Sequence, residues 1–392
     1  MSVVALAIDA LLPALDIIGL ALGTSDPVAN QLLITMIFLG LGIGPMLFGP
    51  ISDSLGRKPM VYVGFMIFVI ASIVCVQSSS MELMIAGRIL QGIGLSAPRT
   101  LAIAIVRDKF DGDYMARIMS FITVVFLLVP IIAPALGKWV LDAYNWQSIF
   151  YIQIGIGLLV ILWFWKRQPE TLAITNRKPL TIQVFEDGFK EVLQQKVTMG
   201  YTLVSGFIVG SFLVYLSSSQ QLFQEQYGLK DSFPYIFAGL AIALGLAIFL
   251  NASLVIRFGM RKIVNLATIG YFVTSLVYVA LFYTTPNPSI YILITFFAIQ
   301  FFAIGFLFGN LRALAMQPIG HIAGIGSAIT GLISTLMAVP ISTFIGRYVT
   351  DRALPLFIGF LVCSTLSLLL ILGLQRIHKR NTHTLAQTQQ EK

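Results

Sequence analysis

The chain has 392 residues, 57% of them apolar and 11% charged, with a formal net charge of +8 and a mean hydropathy of +0.88. A soluble domain is nearer half apolar and a quarter charged, so a soluble enzyme, a nucleic-acid binder and a disordered chain are all excluded. Cys75 and Cys363 both lie inside apolar runs, and no disulfide framework is implied.

A membrane-crossing helix needs about 20 predominantly apolar residues. The chain offers twelve such runs: 3–23, 29–51, 60–77, 82–105, 117–139, 146–165, 199–219, 234–256, 263–283, 289–311, 322–346 and 354–374. They are continuously apolar, which favours helices over the alternating strands of a barrel. Most connections are short. Residues 166–198 carry most of the polar sequence and separate six runs from six, so the expected fold is all-α, with twelve transmembrane helices in two pseudo-symmetric six-helix bundles. The bundles are expected at 1–165 and 199–374, with 166–198 a central cytoplasmic loop and 375–392 a polar, disordered cytoplasmic tail.

Of the 25 Lys and Arg, 19 fall on one set of connections and only Lys138, Lys230, Arg347 and Arg352 on the other; Arg88 and Arg99 lie within a run. By the positive-inside rule both termini and the central loop are cytoplasmic. The basic charge is thus a topology signal, and no nucleic-acid partner is needed. The first run starts at Met1 with no charged flank, and no basic segment marks it as a signal peptide.

Ionisable groups at membrane depth are costly and are functional candidates by default. Asp9 and Asp16 are seven residues apart on the first run, and Arg88 and Arg99 eleven apart on the fourth, so each pair shares a helix face. Two acids and two bases can line one aqueous cavity, where a carboxylate exchanges protons as its surroundings change. Arg88 opens the run RILQGIG, in which Gln91 adjoins it and glycines permit close helix approach. Between the second and third runs stands GPISDSLGRKP, Gly49 to Pro59. There Gly49 permits close packing, Gly56 the turn, and Asp53 can pair with Arg57 or Lys58, a suitable cytoplasmic gate. Aligning Gly56 with Gly259 in the second half puts Ile256 where Asp53 stands, so the repeat keeps the bases and loses the acid. In the fifth run Pro130, Pro134 and Gly137 recur within VPIIAPALG, a bend or a close-packed seam. Tyr215 and Gln300 are further candidates to line a cavity, while Ser217 to Gln221 reads as the seventh helix leaving the membrane.

The Gly49–Pro59, Arg88–Gly94 and Pro130–Gly137 segments resemble three signature motifs of the major facilitator superfamily, the third similar to the antiporter motif of twelve-span drug exporters. ALAIDALLPAL (Ala5–Leu15), IVRD (Ile105–Asp108), RIMSF (Arg117–Phe121) and PETL (Pro169–Leu172) look most like its bicyclomycin-resistance (Bcr/CflA) group. The resemblance implies a proton-coupled exporter working by alternating access in a bacterial inner membrane. It makes Asp9 the proton carrier, Arg88 its companion in proton transfer, Asp53 and Arg57 the cytoplasmic gate, and Pro130, Pro134 and Gly137 the antiporter motif. Two features depart from the pattern. Such first helices run two or three turns further before the acid, as if this chain had a late start, and Arg99 belongs to no motif.

The expected cargo is a small hydrophobic or amphipathic drug, exchanged for protons down their gradient with no bound cofactor or metal. Asp9 favours cationic or neutral amphiphiles, whereas Arg88 and Arg99 favour an anion or zwitterion. Alternatives are a proton-coupled exporter of a sugar, amino acid or derivative, and a non-transporting receptor or scaffold on the same fold; a monomer in the lipid bilayer is the default. An ATP-driven pump is disfavoured because no G-x-x-x-x-G-K-[ST] loop occurs. An enzyme is disfavoured because His321, His378 and His383 all fall in expected loop or tail.

Overall fold

The computed structural model describes residues 1–110, 112–177 and 181–390, and among them every regular element is helical. Lys178, one of the expected cytoplasmic bases, and positions 391–392 of the expected tail lie outside the described residues.

The first run is not one helix. It divides into α1 (Ser2–Asp9), a tight turn at Leu12–Ala14 and α2 (Leu15–Ala21). Pro13 has no amide hydrogen to continue the ladder, which ends α1 with Asp9 as its last residue. The remaining first-half helices are α3 (Pro27–Leu55), α4 (Arg57–Val76), α5 (Met81–Lys109), α6 (Gly112–Ala143) and α7 (Trp146–Arg167). Their starts follow from side chains that accept orphan amide hydrogens. Asp26 accepts from the Val28 N–H at 2.9 Å, Ser80 from that of Leu83 at 3.3 Å, and Asn145 from that of Ser148 at 3.0 Å.

The segment 166–198 is more structured than a loop. It contains α8 (Ile182–Gln194), whose Phe189 and Val192 pack on Ile319 and Ile329. Then come α9 (Lys196–Gln220), continued by a π-helical turn at Gln221–Gln226, α10 (Phe233–Phe258), α11 (Met260–Phe282), α12 (Ile290–Met316), α13 (Ala323–Gly346) and α14 (Leu354–Gln390). Eleven stretches of the described residues are long and apolar enough to cross a membrane. One of them, Ile290–Gly346, spans 57 residues and kinks at Ile319 (φ −118°, ψ 28°) into α12 and α13, which gives the twelve crossings. Two expectations are corrected. The tail continues α14 as helix to Gln390, and Ser217 to Gln220 are buried within α9 rather than leaving the membrane.

In the first half α5 packs on α3 and α4, α7 on α4, and α6 on α1; in the second, α9 packs on α13, and α12 on α10 and α11. The halves meet along α3–α13 and α6–α10. Membrane helices associate through close backbone approach at small residues. Here Gly40 of α3 and Gly92 of α5 interlock, since a Cβ on Gly40 would overlap the Ile89 carbonyl and one on Gly92 the Ile37 carbonyl.

The repeat is visible in the polar contacts. Gln91 of α5 donates to Ser72 of α4 at 2.7 Å, and Gln300 of α12 donates to Ser275 of α11 at 2.6 Å. One turn before these glutamines stand Arg88 in the first half and Phe297 in the second. Gly56 and Gly259 occupy matching corners with φ of 110° and 78°, a region that disfavours side chains.

The corner at Gly56 is held by Glu170, which follows α7. Its carboxylate accepts the N–H groups of Arg57 at 3.0 Å and Lys58 at 2.9 Å, capping α4 from across the chain. Partial burial opposes ionisation of this carboxyl, but the amide hydrogens of Leu172, Lys58, Arg57 and Thr171 outweigh it and hold Glu170 below the usual glutamate range. A lowered folded-state pKa gives stability that is present above the unfolded value of 4.5 and lost as pH falls below it.

Glu170→Ala is therefore expected to cost about 1–2 kcal/mol at neutral pH, read as a lower melting temperature in detergent. The deficit should shrink as the buffer is taken below pH 4.5. Gly92→Leu should lower the melting temperature at every pH, by overpacking worth about 1–3 kcal/mol.

Candidate functional site

A buried polar chain ties together four helices of the first half. Arg88 is fully buried. Its Nε donates to the Leu33 carbonyl of α3 at 2.8 Å, Nη2 to the Ala7 carbonyl of α1 at 3.1 Å, and Nη1 to Gln91 Oε1 at 2.7 Å. Gln91 passes the chain to Ser72, whose hydroxyl donates to the Phe68 carbonyl at 2.7 Å. Each of the three guanidinium nitrogens of Arg88 has an acceptor, which lets the buried cation be tolerated. Arg88 makes no ion pair with Asp9; carbonyls at the ends of α1 and in α3 do that work. Gln91 is committed within the chain, as Gln300 is to Ser275 in the second half.

Asp9 is 5% exposed, and it makes no hydrogen bond or ion pair with the described residues. Its charge reaches Tyr215 of α9, on the other half. Tyr215 is 1% exposed and sits in an aromatic box, with ring centroids 4.5 Å from Phe301, 5.1 Å from Phe297 and 6.3 Å from Phe237. Its hydroxyl has no hydrogen-bond partner. An unpartnered carboxyl and an unpartnered phenol thus lie on opposite sides of the seam between the halves.

Asp16 lies further along, in α2, and is not beside Asp9. It accepts hydrogen bonds from Asn30 at 3.3 Å and from Gln220 of α9, and the carboxyl of Glu225 lies beside it. Nearby, Gln31 of α3 donates to Gln221 at 2.9 Å and to the Gly346 carbonyl at 3.3 Å, and Lys138 of α6 pairs with Asp231 at 3.1 Å. Apart from the Asn30–Asp16 bond, which lies within the first half, these contacts cross between halves at the end that lacks the cluster of bases. At the basic end no hydrogen bond or ion pair crosses, among the described residues.

The basic end has its own network, confined to the first half and the segment after α7. Arg57 is 4% exposed and pairs with Asp53 at 2.5 Å and Asp108 at 3.0 Å, while its Nη1 donates to Ser52 at 2.7 Å. Thr171 donates to the same Asp108 oxygen at 3.2 Å, and Lys58 to the Trp165 carbonyl at 3.2 Å. The network ties together the ends of α3, α4 and α5. In the second half Ile256, which stands in the place of Asp53, is 87% exposed. Gly49 accepts from the Ser52 hydroxyl at 2.7 Å.

Pro130 and Pro134 lie inside α6, which continues through both. Gly137 lies directly against the Ala10 carbonyl where α1 breaks. The helix carrying this motif therefore stands between α1 and α10 of the other half. Arg99 is half-buried in α5 and is not part of the Arg88 chain.

Sequence reasoning assigned no role to Asp108, Glu170, Gln31, Gln220, Glu225 or Arg312. Asp108 and Glu170 lie in the IVRD and PETL segments, so a signal existed. The glutamines carry none, because only the approach of the two halves gives them partners.

The family model of the Major Facilitator Superfamily matches residues 1–339. The chain is 30% identical over 375 residues to the MFS-type transporter YdgK of Bacillus subtilis, covering 94% of this chain and 92% of that one. It is 26% identical over 378 residues to a bicyclomycin resistance protein homolog of Haemophilus influenzae (92% and 90% covered), and 28% over 370 residues to the multidrug resistance protein MdtL of Klebsiella pneumoniae (93% and 91%). Among solved structures, a D-xylose-proton symporter superposes with a TM-score of 0.71 at 14% identity, covering 95% of this chain and 94% of that one. The xylose transporter XylE of E. coli gives 0.70 at 13%, covering 96% and 94%. The chain is a multi-pass membrane transporter, not an enzyme, and belongs to the major facilitator superfamily.

Proposed function

We propose that this transporter exports amphipathic drug-like molecules in exchange for protons, by alternating access in a bacterial inner membrane. The basic end and both termini face the cytoplasm, and the chain works as a monomer of two bundles, 1–165 and 199–374. The observation that carries the reading is the buried, unpartnered carboxyl of Asp9 at the seam, facing Tyr215. Among the described residues no basic group pairs with Asp9, so closing the seam over it requires that a proton or a cationic cargo come with it. Opening to water on one side frees the site to exchange one for the other, and this exclusivity is antiport. The aromatic box around Tyr215 supplies the apolar wall that a broad amphiphile site needs. The relatives named for multidrug and bicyclomycin resistance agree with a drug-like cargo.

Arg88 holds the broken end of α1 in place through the Ala7 carbonyl, and so sets the position of Asp9. The Arg57–Asp53–Asp108 cluster braces the cytoplasmic ends of α3, α4 and α5, and is the part that must rearrange when that end changes state.

Asp9→Asn is expected to abolish drug efflux driven by a pH gradient while the protein still folds, since a neutral amide is cheaper to bury. Proteoliposomes carrying a fluorescent drug, assayed with and without a pH gradient, check this; efflux equal to the parent would remove Asp9 from the mechanism. Asp53→Asn removes one of two carboxylates on Arg57 and is expected to increase labelling of single cysteines on the cytoplasmic side of the seam several-fold. Unchanged labelling would show that the cluster does not control that end.

A further inference from the structure

The glycine corners of the two halves match in backbone but not in what satisfies them. Three carboxylates serve the corner at Gly56. Asp53 and Asp108 pair with the Arg57 guanidinium, and Glu170 accepts the first amide hydrogens of α4. At Gly259, between α10 and α11, these roles are unfilled. The side chains of Arg257, Arg261 and Lys262 are exposed and make no ion pair with the described residues. No side chain caps α11, which leaves its first amide hydrogens without a side-chain acceptor. In the place of Asp53 stands the exposed Ile256.

The bases at this corner are gathered rather than scattered. Arg257 Cζ lies 5.2 Å from the centroid of the Phe258 ring, and Lys262 Nζ lies 5.3 Å from the same centroid. One ring thus holds a cation from α10 and a cation from α11, both within the range of attraction to its face. The chemical complement of such a pair is an anion with several oxygens. A guanidinium offers it paired N–H donors, an ammonium offers a point charge, and the start of a helix favours negative charge. The patch is also half apolar. Ile256 and Phe258 are exposed beside the bases, at the end of a helix long and apolar enough to cross a membrane. A phospholipid fits both parts, with its phosphate on the bases and its acyl chains on the apolar side chains. A free phosphate leaves Ile256 uncovered.

We propose that the Gly259 corner binds an anionic phospholipid, its phosphate held by Arg257, Arg261 and Lys262 and its acyl chains against Ile256 and Phe258. The lipid then supplies to the second half the negative charge that Asp53, Asp108 and Glu170 supply to the first. The site needs neither Asp9 nor any particular cargo.

Phosphatidylglycerol is the probe and phosphatidylcholine the comparison lipid. Each is titrated into the delipidated full chain in detergent, and bound lipid is counted by native mass spectrometry. Arg257→Gln combined with Lys262→Gln is expected to weaken phosphatidylglycerol binding roughly tenfold or more, the usual loss for charge-assisted contacts, and to leave phosphatidylcholine within about twofold. Lys166→Gln combined with Arg167→Gln removes the same charge from the end of α7 and should leave phosphatidylglycerol binding within about twofold, since scattered surface charges contribute little. Equal loss in the two double variants, or no loss in the first, overturns the proposal. Inorganic phosphate at the same concentration as the lipid should not displace it, because it lacks the apolar contact. Full displacement shows a site for the free anion and overturns the assignment to lipid.

Folding is read from melting temperatures in lipid-free detergent. No ion pair within the protein is lost in Arg257→Gln with Lys262→Gln, so this variant should melt with the parent. Phosphatidylglycerol should then raise the parent's melting temperature more than the variant's, and an equal rise in both overturns the proposal. Ile256→Asp tests the corner without removing a base. It gives the second half the acid of the first, which should occupy the bases and weaken phosphatidylglycerol binding; unchanged binding overturns the proposal.

Discussion

The arrangement of this transporter depends on where its two halves are bonded to each other. Gln31 with Gln221 and Gly346, Asp16 with Gln220 and Glu225, and Lys138 with Asp231 all lie at one end of the seam. At the other end the contact is apolar, with Met46 of α3 against the Ile319–Ile329–Val192 cluster. Apolar contacts between membrane helices have little hydrophobic drive, because lipid is equally apolar. The polar bonds therefore decide which end is shut. Most of them are amide contacts, whose net worth is modest, so the closed end can be released without a large barrier.

The halves share a backbone plan but divide the chemistry. Both carry a Gln–Ser clamp between matching helices, and both turn a corner on a glycine with positive φ. In the first half the turn before the clamp holds Arg88, which reaches back to α1 and fixes its broken end. In the second half Phe297 stands there and joins Phe301, Phe357 and Tyr215 in an aromatic cluster. Charge positions the helix that ends at Asp9 on one side, and apolar rings form the opposing wall. The corner networks follow the same division. Arg57 has two carboxylates, while the second half has an exposed Ile256 at the corresponding place.

Much of this was legible in the sequence, and the unread part shares one cause. Spans, their number and the repeat follow from hydropathy and glycine placement, which are local. Pairing is not local. The seven-residue spacing of Asp9 and Asp16 places them on one helix face only if the helix is continuous, and Pro13 interrupts it, sending Asp16 to the amide cluster and Asp9 to the seam. A carboxylate near Arg88 was the natural expectation for a buried cation, yet the break in α1 frees the Ala7 carbonyl to serve instead. Ser217–Gln221 looked like a chain leaving the bilayer because its polar residues have no side-chain partner within those five positions. Their partners are on α2, α3 and the start of α14's connection, a fact that only the packing of the halves reveals.

The distribution of charge along the seam gives alternating access a direction. At the bonded end, partners attract and the halves stay together without any solute. Between the ends, Asp9 and the Tyr215 hydroxyl are buried on opposite halves, neither with a hydrogen-bond partner among the described residues. At the basic end the halves meet through apolar contacts, Met46 against Ile319 and Ile329. Separation at the basic end breaks no hydrogen bond or ion pair between the halves, among the described residues. Under the proposed exchange, closing over Asp9 requires a proton or a cationic cargo, and a loaded site provides it. Any free energy gained in that closure is available to break the amide bonds at the far end, because a ligand can shift an equilibrium only by its difference in affinity for the two states. Under this constraint cargo binding and release of the far end are linked: a molecule that sits in the aromatic box without engaging Asp9 would bind, yet it would have little power to switch the transporter.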